Sequence, residues 1–175
     1  MKRTAWSSIL VACFLVLPQT AEAQGVILAP ELAIGDNVDF GIGGRALFGL
    51  SSVNPALQGA GFITLFFPDN FDYFELGGTL YYRFVLPDNP GIVPKVGAGA
   101  TVGFSSSSVS SPGLDDETSS SNTNVGLHLL GGVEFPRGKI VPYGQFQVGI
   151  GDIPDFAILL GVGFAVGGGG GGGEG

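Results

Sequence analysis

Three groups of side chains in this sequence could do chemistry. The first is His128, the sole histidine, with Glu134 six residues further on. An imidazole and a carboxylate serve as base and orienting acid in hydrolysis when both lie within hydrogen-bond reach of a nucleophile. The second is Asp115-Asp116-Glu117, whose oxygens are of the kind that Ca²⁺ and Mg²⁺ take, although no EF-hand-like spacing surrounds them. The third is a set of scattered charges, Glu31, Arg45, Glu75, Arg83 and Lys95, each set among apolar residues and glycine. Tyr81, Tyr143, Gln145 and Gln147 stand in the same kind of context. A charge that such surroundings bury must be paired or neutralised. The glycine runs are not phosphate loops, because G-x-x-x-x-G-K-[ST] is absent.

What positions these groups is a period of two. From Phe71 to Leu86, Phe74, Leu76, Gly78, Leu80, Tyr82, Phe84 and Leu86 make one apolar face. Tyr73, Glu75, Gly77, Thr79, Tyr81, Arg83 and Val85 make the other, which holds an acid and a base. Alternation of this kind is a strand with two environments. In a soluble sandwich the apolar face is core; in a membrane barrel it meets lipid and the polar face fills the interior.

Seven further segments divide in the same way. Near Val26–Ile34 the apolar positions are Val26, Leu28, Pro30, Leu32 and Ile34, against Glu31. Phe40–Leu50 sets Phe40, Ile42, Ala46, Phe48 and Leu50 against Arg45, and Ala56–Phe67 sets Leu57, Ile63, Leu65 and Phe67 against Gln58 and Thr64. Ile92–Phe104 opposes Val96, Ala98, Ala100, Val102 and Phe104 to Lys95 and Thr101. Asn124–Phe135 opposes Val125, Leu127, Leu129, Val133 and Phe135 to His128 and Glu134. Ile140–Ile150 opposes Ile140, Phe146, Val148 and Ile150 to Tyr143, Gln145 and Gln147. In Asp155–Val166 the apolar positions are Phe156, Ile158, Leu160, Val162, Phe164 and Val166. Each segment is near the about 9–11 residues of a tilted membrane strand. Eight is the smallest count such barrels use.

Composition agrees with this division. The 175 residues are 45% hydrophobic and 13% charged, with 32 glycines, a size for one domain. A mean hydropathy of +0.41 is high for a secreted soluble domain. Yet no segment after the N-terminus has about 18 consecutive apolar residues, the helical requirement. Lys2-Arg3, an apolar run from Ala5 to Leu17 and Ala21-Glu22-Ala23 read as a secretory signal over residues 1–23, cleaved after Ala23. Cys13, the one cysteine, lies inside that signal, so the exported chain of an oxidising compartment has no thiol or disulfide. Loss of Lys2, Arg3 and Glu22 takes the formal charge from −8 to −9. That balance argues against nucleic acid, which needs clusters of Lys and Arg. The barrel domain spans residues 24–166, and Gly-rich residues 167–175 read as a flexible tail.

The connections fall into two sets. Ser51–Pro55, Pro87–Gly91 and Pro136–Lys139 are short and rich in turn formers. The alternate set, Gly35–Asp39, Pro68–Asp72, Ser105–Thr123 and Gly151–Asp155, holds nine acidic residues, no Lys or Arg, and the one long loop. Short periplasmic turns and longer outer loops are the asymmetry of outer-membrane barrels.

Gly77-Gly78-Thr79-Leu80-Tyr81-Tyr82-Arg83-Phe84 and Pro142-Tyr143-Gly144-Gln145-Phe146-Gln147-Val148-Gly149-Ile150-Gly151 carry a resemblance. Over about Gly25–Val166 the chain resembles the small eight-stranded outer-membrane β-barrels of the OmpA/OmpX-like superfamily. The resemblance implies an all-β, eight-stranded antiparallel up-and-down transmembrane β-barrel in a bacterial outer membrane. It implies a monomer among outer-membrane lipid and lipopolysaccharide, inserted by the barrel-assembly machinery, without cofactor. Family members end on a strand with a polar-x-Gly-x-x-apolar-x-aromatic signal. Here Gly161, Phe164 and Val166 fit it, Leu159 replaces the polar residue, and no aromatic terminates the chain. Some barrels of this size are lipid A deacylases with a His-x-Ser motif; here Leu130 stands in place of the serine.

In an eight-stranded barrel, side chains fill the interior. Glu31, Arg45, Glu75, Tyr81, Arg83, Lys95, His128, Glu134, Tyr143, Gln145 and Gln147 are then expected to form a polar network, with Asp155 at its edge. This predicts a non-catalytic barrel with a structural or surface-interaction role. Its alternatives are a narrow gated pore and a soluble lipocalin-like barrel that holds an apolar ligand.

Overall fold

A computed structural model describes residues 25–68, 71–109 and 118–166. The expected signal, the glycine tail, and Asp115, Asp116 and Glu117 lie outside them. Eight strands follow in order: β1 (Val26–Gly35), β2 (Asp39–Gly49), β3 (Leu57–Phe66), β4 (Asp72–Arg83), β5 (Val93–Val109), β6 (Thr118–Glu134), β7 (Ile140–Gly151) and β8 (Phe156–Val166). Each pairs antiparallel with the next, and β8 closes on β1 from Val26↔Val166 to Gly35↔Ala157. Closure leaves no strand edge along the wall.

The period-2 division sets which way each face points. Leu32, Leu80, Leu129, Ile150 and Leu160 on the outer wall are each about half exposed, whereas Glu31, Arg45, Lys95, Thr101 and His128 are buried inside. The soluble alternative needs the reverse arrangement, and this orientation excludes it. Rings flank the aliphatic belt. Phe74 stacks on Phe104 with centroids 4.8 Å apart near one end of β4, and Tyr82 meets Phe84 edge-on near the other.

Large inward side chains lie over inward glycines of the adjacent strands. A Cβ at Gly161 would run into the Tyr143 ring, one at Gly103 into Tyr73, and one at Gly99 into His128. Glycine here makes room for rings that cross a narrow interior, the small-against-large fit of a closed barrel. At the end that carries the acidic connections, Ala33, Val38, Phe66, Tyr73, Ala157 and Leu159 form one apolar cluster. Nearer the chain termini, Ala29, Leu47, Ala60, Tyr81, Leu130 and Tyr143 form another.

Connections follow the turn chemistry. Asn37 and Asp39, at φ 61° and 55°, bend the β1–β2 link, and Gly138 at φ 64° bends the β6–β7 link. Asn, Asp and Gly tolerate that left-handed region.

Strand pairing runs further into one connection than the sequence predicts. The reading of Ser105–Thr123 as a long Ser-rich loop is corrected at both its ends, where β5 and β6 continue pairing through Ser105↔Asn122 to Val109↔Thr118. Pairing of β4 with β5 stops at Asp72↔Ser106, and β6 meets β7 only from Gly126↔Gly151. The two strands therefore rise past the rim as a two-stranded arm. Ser106, Ser121 and Asn122 at its base are exposed, and the sequence of the arm shows no hydrophobic alternation.

Candidate functional site

The candidate site is the barrel interior, built from inward positions of all eight strands. At its centre Arg45 on β2 grips Glu31 on β1 with two parallel hydrogen bonds, Nε to Oε2 at 3.0 Å and Nη2 to Oε1 at 3.2 Å. Both side chains are wholly buried. Arg45 Nη1 donates to the Tyr81 hydroxyl on β4, which donates to Gln145 Oε1 on β7 at 3.4 Å. From β7 the Tyr143 hydroxyl donates to Glu31 Oε2 at 2.8 Å. The guanidinium also lies 4.8 Å above the Phe62 ring of β3. This geometry matches the planar fork of arginine, and charge-assisted bidentate bonds are the strong ones.

A second group shares one acid. Glu134 on β6 accepts from Arg83 Nε at 3.0 Å and from Lys95 Nζ at 3.1 Å. Lys95 stands between two rings, its Nζ 4.6 Å from the centroids of both Tyr81 and Tyr143. It thus joins the two groups into one brace through cation–π contacts. Arg83 is 26% exposed, so the brace reaches solvent at the end bearing the short turns.

His128 stands apart. Its Nε2 is 2.9 Å from the Thr79 hydroxyl, its Nδ1 is 2.9 Å from the Thr101 hydroxyl, and Phe62 meets the ring edge-on. Both ring nitrogens are occupied, while Glu134 is committed to Arg83 and Lys95. The imidazole and carboxylate of a hydrolytic site are therefore not joined, and Leu130 between them is buried. Glu75 is also apart from every base; its partner is the Tyr73 hydroxyl at 2.8 Å. Gln147 is buried, and its Oε1 has no partner, as is true of Gln58 Oε1, Thr64 Oγ1 and Gln145 Nε2. Asp155, expected at the edge of the network, is exposed in the β7–β8 connection.

Sequence reasoning sets Tyr73, Thr79 and Thr101 on the inward face without giving them a part in the network, and leaves Phe62 unplaced. Counting back by two from Thr64 would have put Phe62 inside; nothing in the sequence pairs His128 with two threonines on other strands. Among the described residues no three His, Cys, Asp or Glu side chains are grouped to hold a metal ion.

Neither a family model nor a curated protein matches the chain. Solved structures do. The N-terminal β-barrel domain of Pseudomonas aeruginosa OprF superposes with a TM-score of 0.61 at 15% identity, covering 82% of this chain and 98% of that one. Neisserial surface protein A gives 0.53 at 16% identity, over 81% and 94%. A de novo designed transmembrane β-barrel gives 0.53 at 12% identity, over 83% and 98%. In fold, the chain is an eight-stranded antiparallel up-and-down barrel of the kind seen in small outer-membrane proteins.

Proposed function

We propose that this chain is a bacterial outer-membrane protein, exported by its N-terminal signal, whose barrel is closed by its own side chains and serves as a rigid base for a surface arm. The observation that carries the reading is the brace of Glu31, Arg45, Tyr81, Lys95, Glu134 and Tyr143. It draws hydrogen bonds, ion pairs and cation–π contacts from six strands across one interior. A channel needs room and mobile charge at its narrowest point, and here each charged head is bonded to another.

The belt of exposed aliphatic side chains, flanked by rings, supports a lipid surrounding, since contiguous apolar surface of this extent marks a membrane or partner contact. Lipid and lipopolysaccharide are then its neighbours, the barrel-assembly machinery its route of insertion, and a monomer its working state. With both termini on the periplasmic side, the acidic connections and the β5–β6 arm face outward, where the arm is the part available to a partner. Catalysis has no support in the interior, where His128 and Glu134 serve separate groups.

Recording from planar bilayers with purified protein tests the closed interior. We expect no unitary currents in wild type, whereas reproducible channel events across independent preparations favour the gated pore.

A further inference from the structure

Charge inside the barrel does not balance locally. Glu31 and Arg45 cancel, while Arg83 and Lys95 share Glu134. Glu75 is left over. It is 3% exposed, the Tyr73 hydroxyl is its hydrogen-bond donor, and none of the ion pairs among the described residues includes it. A buried charge without a partner is expensive, and an unbalanced buried group points to something that completes it.

A threonine hydroxyl stands beside it in the register. Thr64 is its Cα partner on β3, and Thr64 Oγ1 is buried without a hydrogen bond. That oxygen lies in the space left by Gly43 on the β2 side. On the other side the Cα partner is Gly103, which brings no side chain of its own. Just beyond, Tyr73 lines a mouth cavity of about 530 Å³. Asp36, Asp152 and Asp155 stand around that cavity with Asn37 and Asn124, and no Lys or Arg does. Small hard cations take oxygen ligands. A single carboxylate with hydroxyl oxygens suits a monovalent ion, and among the described residues no three His, Cys, Asp or Glu side chains are grouped as a divalent centre would need.

We propose that Glu75 and Tyr73, joined by Thr64 once its χ1 turns one staggered step toward them, hold a small monovalent cation of the Na⁺ class, drawn in through the acidic mouth. Tyr73 keeps its proton on Glu75 and offers a lone pair to the ion, so one bond and one ligand come from the same hydroxyl. The ion supplies the positive charge that this half of the interior lacks. The site rests on a closed interior, which bilayer recording tests separately.

Equilibrium urea unfolding of the full chain in zwitterionic vesicles reads the site out, with NaCl replaced by N-methylglucamine chloride at equal ionic strength. At Na⁺ ten times the site's dissociation constant, the folding constant should rise about elevenfold and the rise should saturate. Glu75→Gln should abolish the response, and Tyr73→Phe, which keeps the ring and the charge, should move it to higher Na⁺. An equal response in Glu75→Gln would overturn the site. So would a wild-type stability that ignores Na⁺ and follows proton concentration, since a proton then neutralises Glu75.

Discussion

Arg45→Met should destabilise the folded barrel by about 3–5 kcal/mol, the cost of removing one partner from a fully buried ion pair. The methionine fills much of the same volume, so the loss is electrostatic: Glu31 keeps the Tyr143 hydroxyl and no adjacent cation. Its charge then sits in the interior with one hydrogen bond in place of three. The pair itself is a different quantity. In the double variant Glu31→Leu with Arg45→Met no charge is stranded, and replacing a buried pair by apolar groups is often neutral. Tyr81 can still donate to Gln145, but Tyr143 loses its acceptor. One unpaired buried hydroxyl costs about 1–3 kcal/mol. The double variant should therefore be more stable than the single one and less stable than wild type. Urea unfolding in vesicles measures all three, and a double variant no better than Arg45→Met contradicts the assignment of the loss to an orphaned carboxylate.

The outer wall gives the second large effect. Leu80→Arg places a guanidinium on the outer wall between the Phe74–Phe104 and Tyr82–Phe84 ring pairs. At a bilayer midplane, such a change on the lipid face costs about 2–4 kcal/mol, falling to about 0–1 near the interfaces. Leu80 is 49% exposed, so in water the same substitution would be close to neutral. Val53→Arg, in the β2–β3 turn, serves as the control and should leave stability unchanged. The difference between the two variants, read as shifts in the unfolding midpoint, measures the surroundings of the wall rather than its packing.

The strands were legible because each has one face of Leu, Ile, Val and Phe and one of small or polar residues, so a count of two assigns every inward position. Arg45, Lys95 and His128 needed nothing more. The arm was not legible, because its run of Ser and Thr carries no hydrophobic alternation. Nor were the partnerships. Arg45 meets Glu31 from 14 residues away, Arg83 meets Glu134 from 51, and Tyr143 meets Glu31 from 112. Those meetings depend on stagger between neighbouring strands and on which glycines leave room for a ring, and both appear only once the barrel closes. Glu75 shows the same limit. It looked like one acid among several bases, and the register puts it beside a threonine and a glycine.

In the proposed arrangement the apolar face of each strand meets lipid while the polar face is sealed inside. Cys13 is the one cysteine of the sequence, so Cys13→Ala gives a thiol-free background for single-cysteine labelling. The most direct measurement compares collisions of dissolved oxygen and of a water-soluble nickel complex with nitroxides at Leu76, Leu80 and Val53 in vesicles. Oxygen should dominate at Leu76 and Leu80, and nickel at Val53. Nickel accessibility at Leu80 as high as at Val53 would contradict the account.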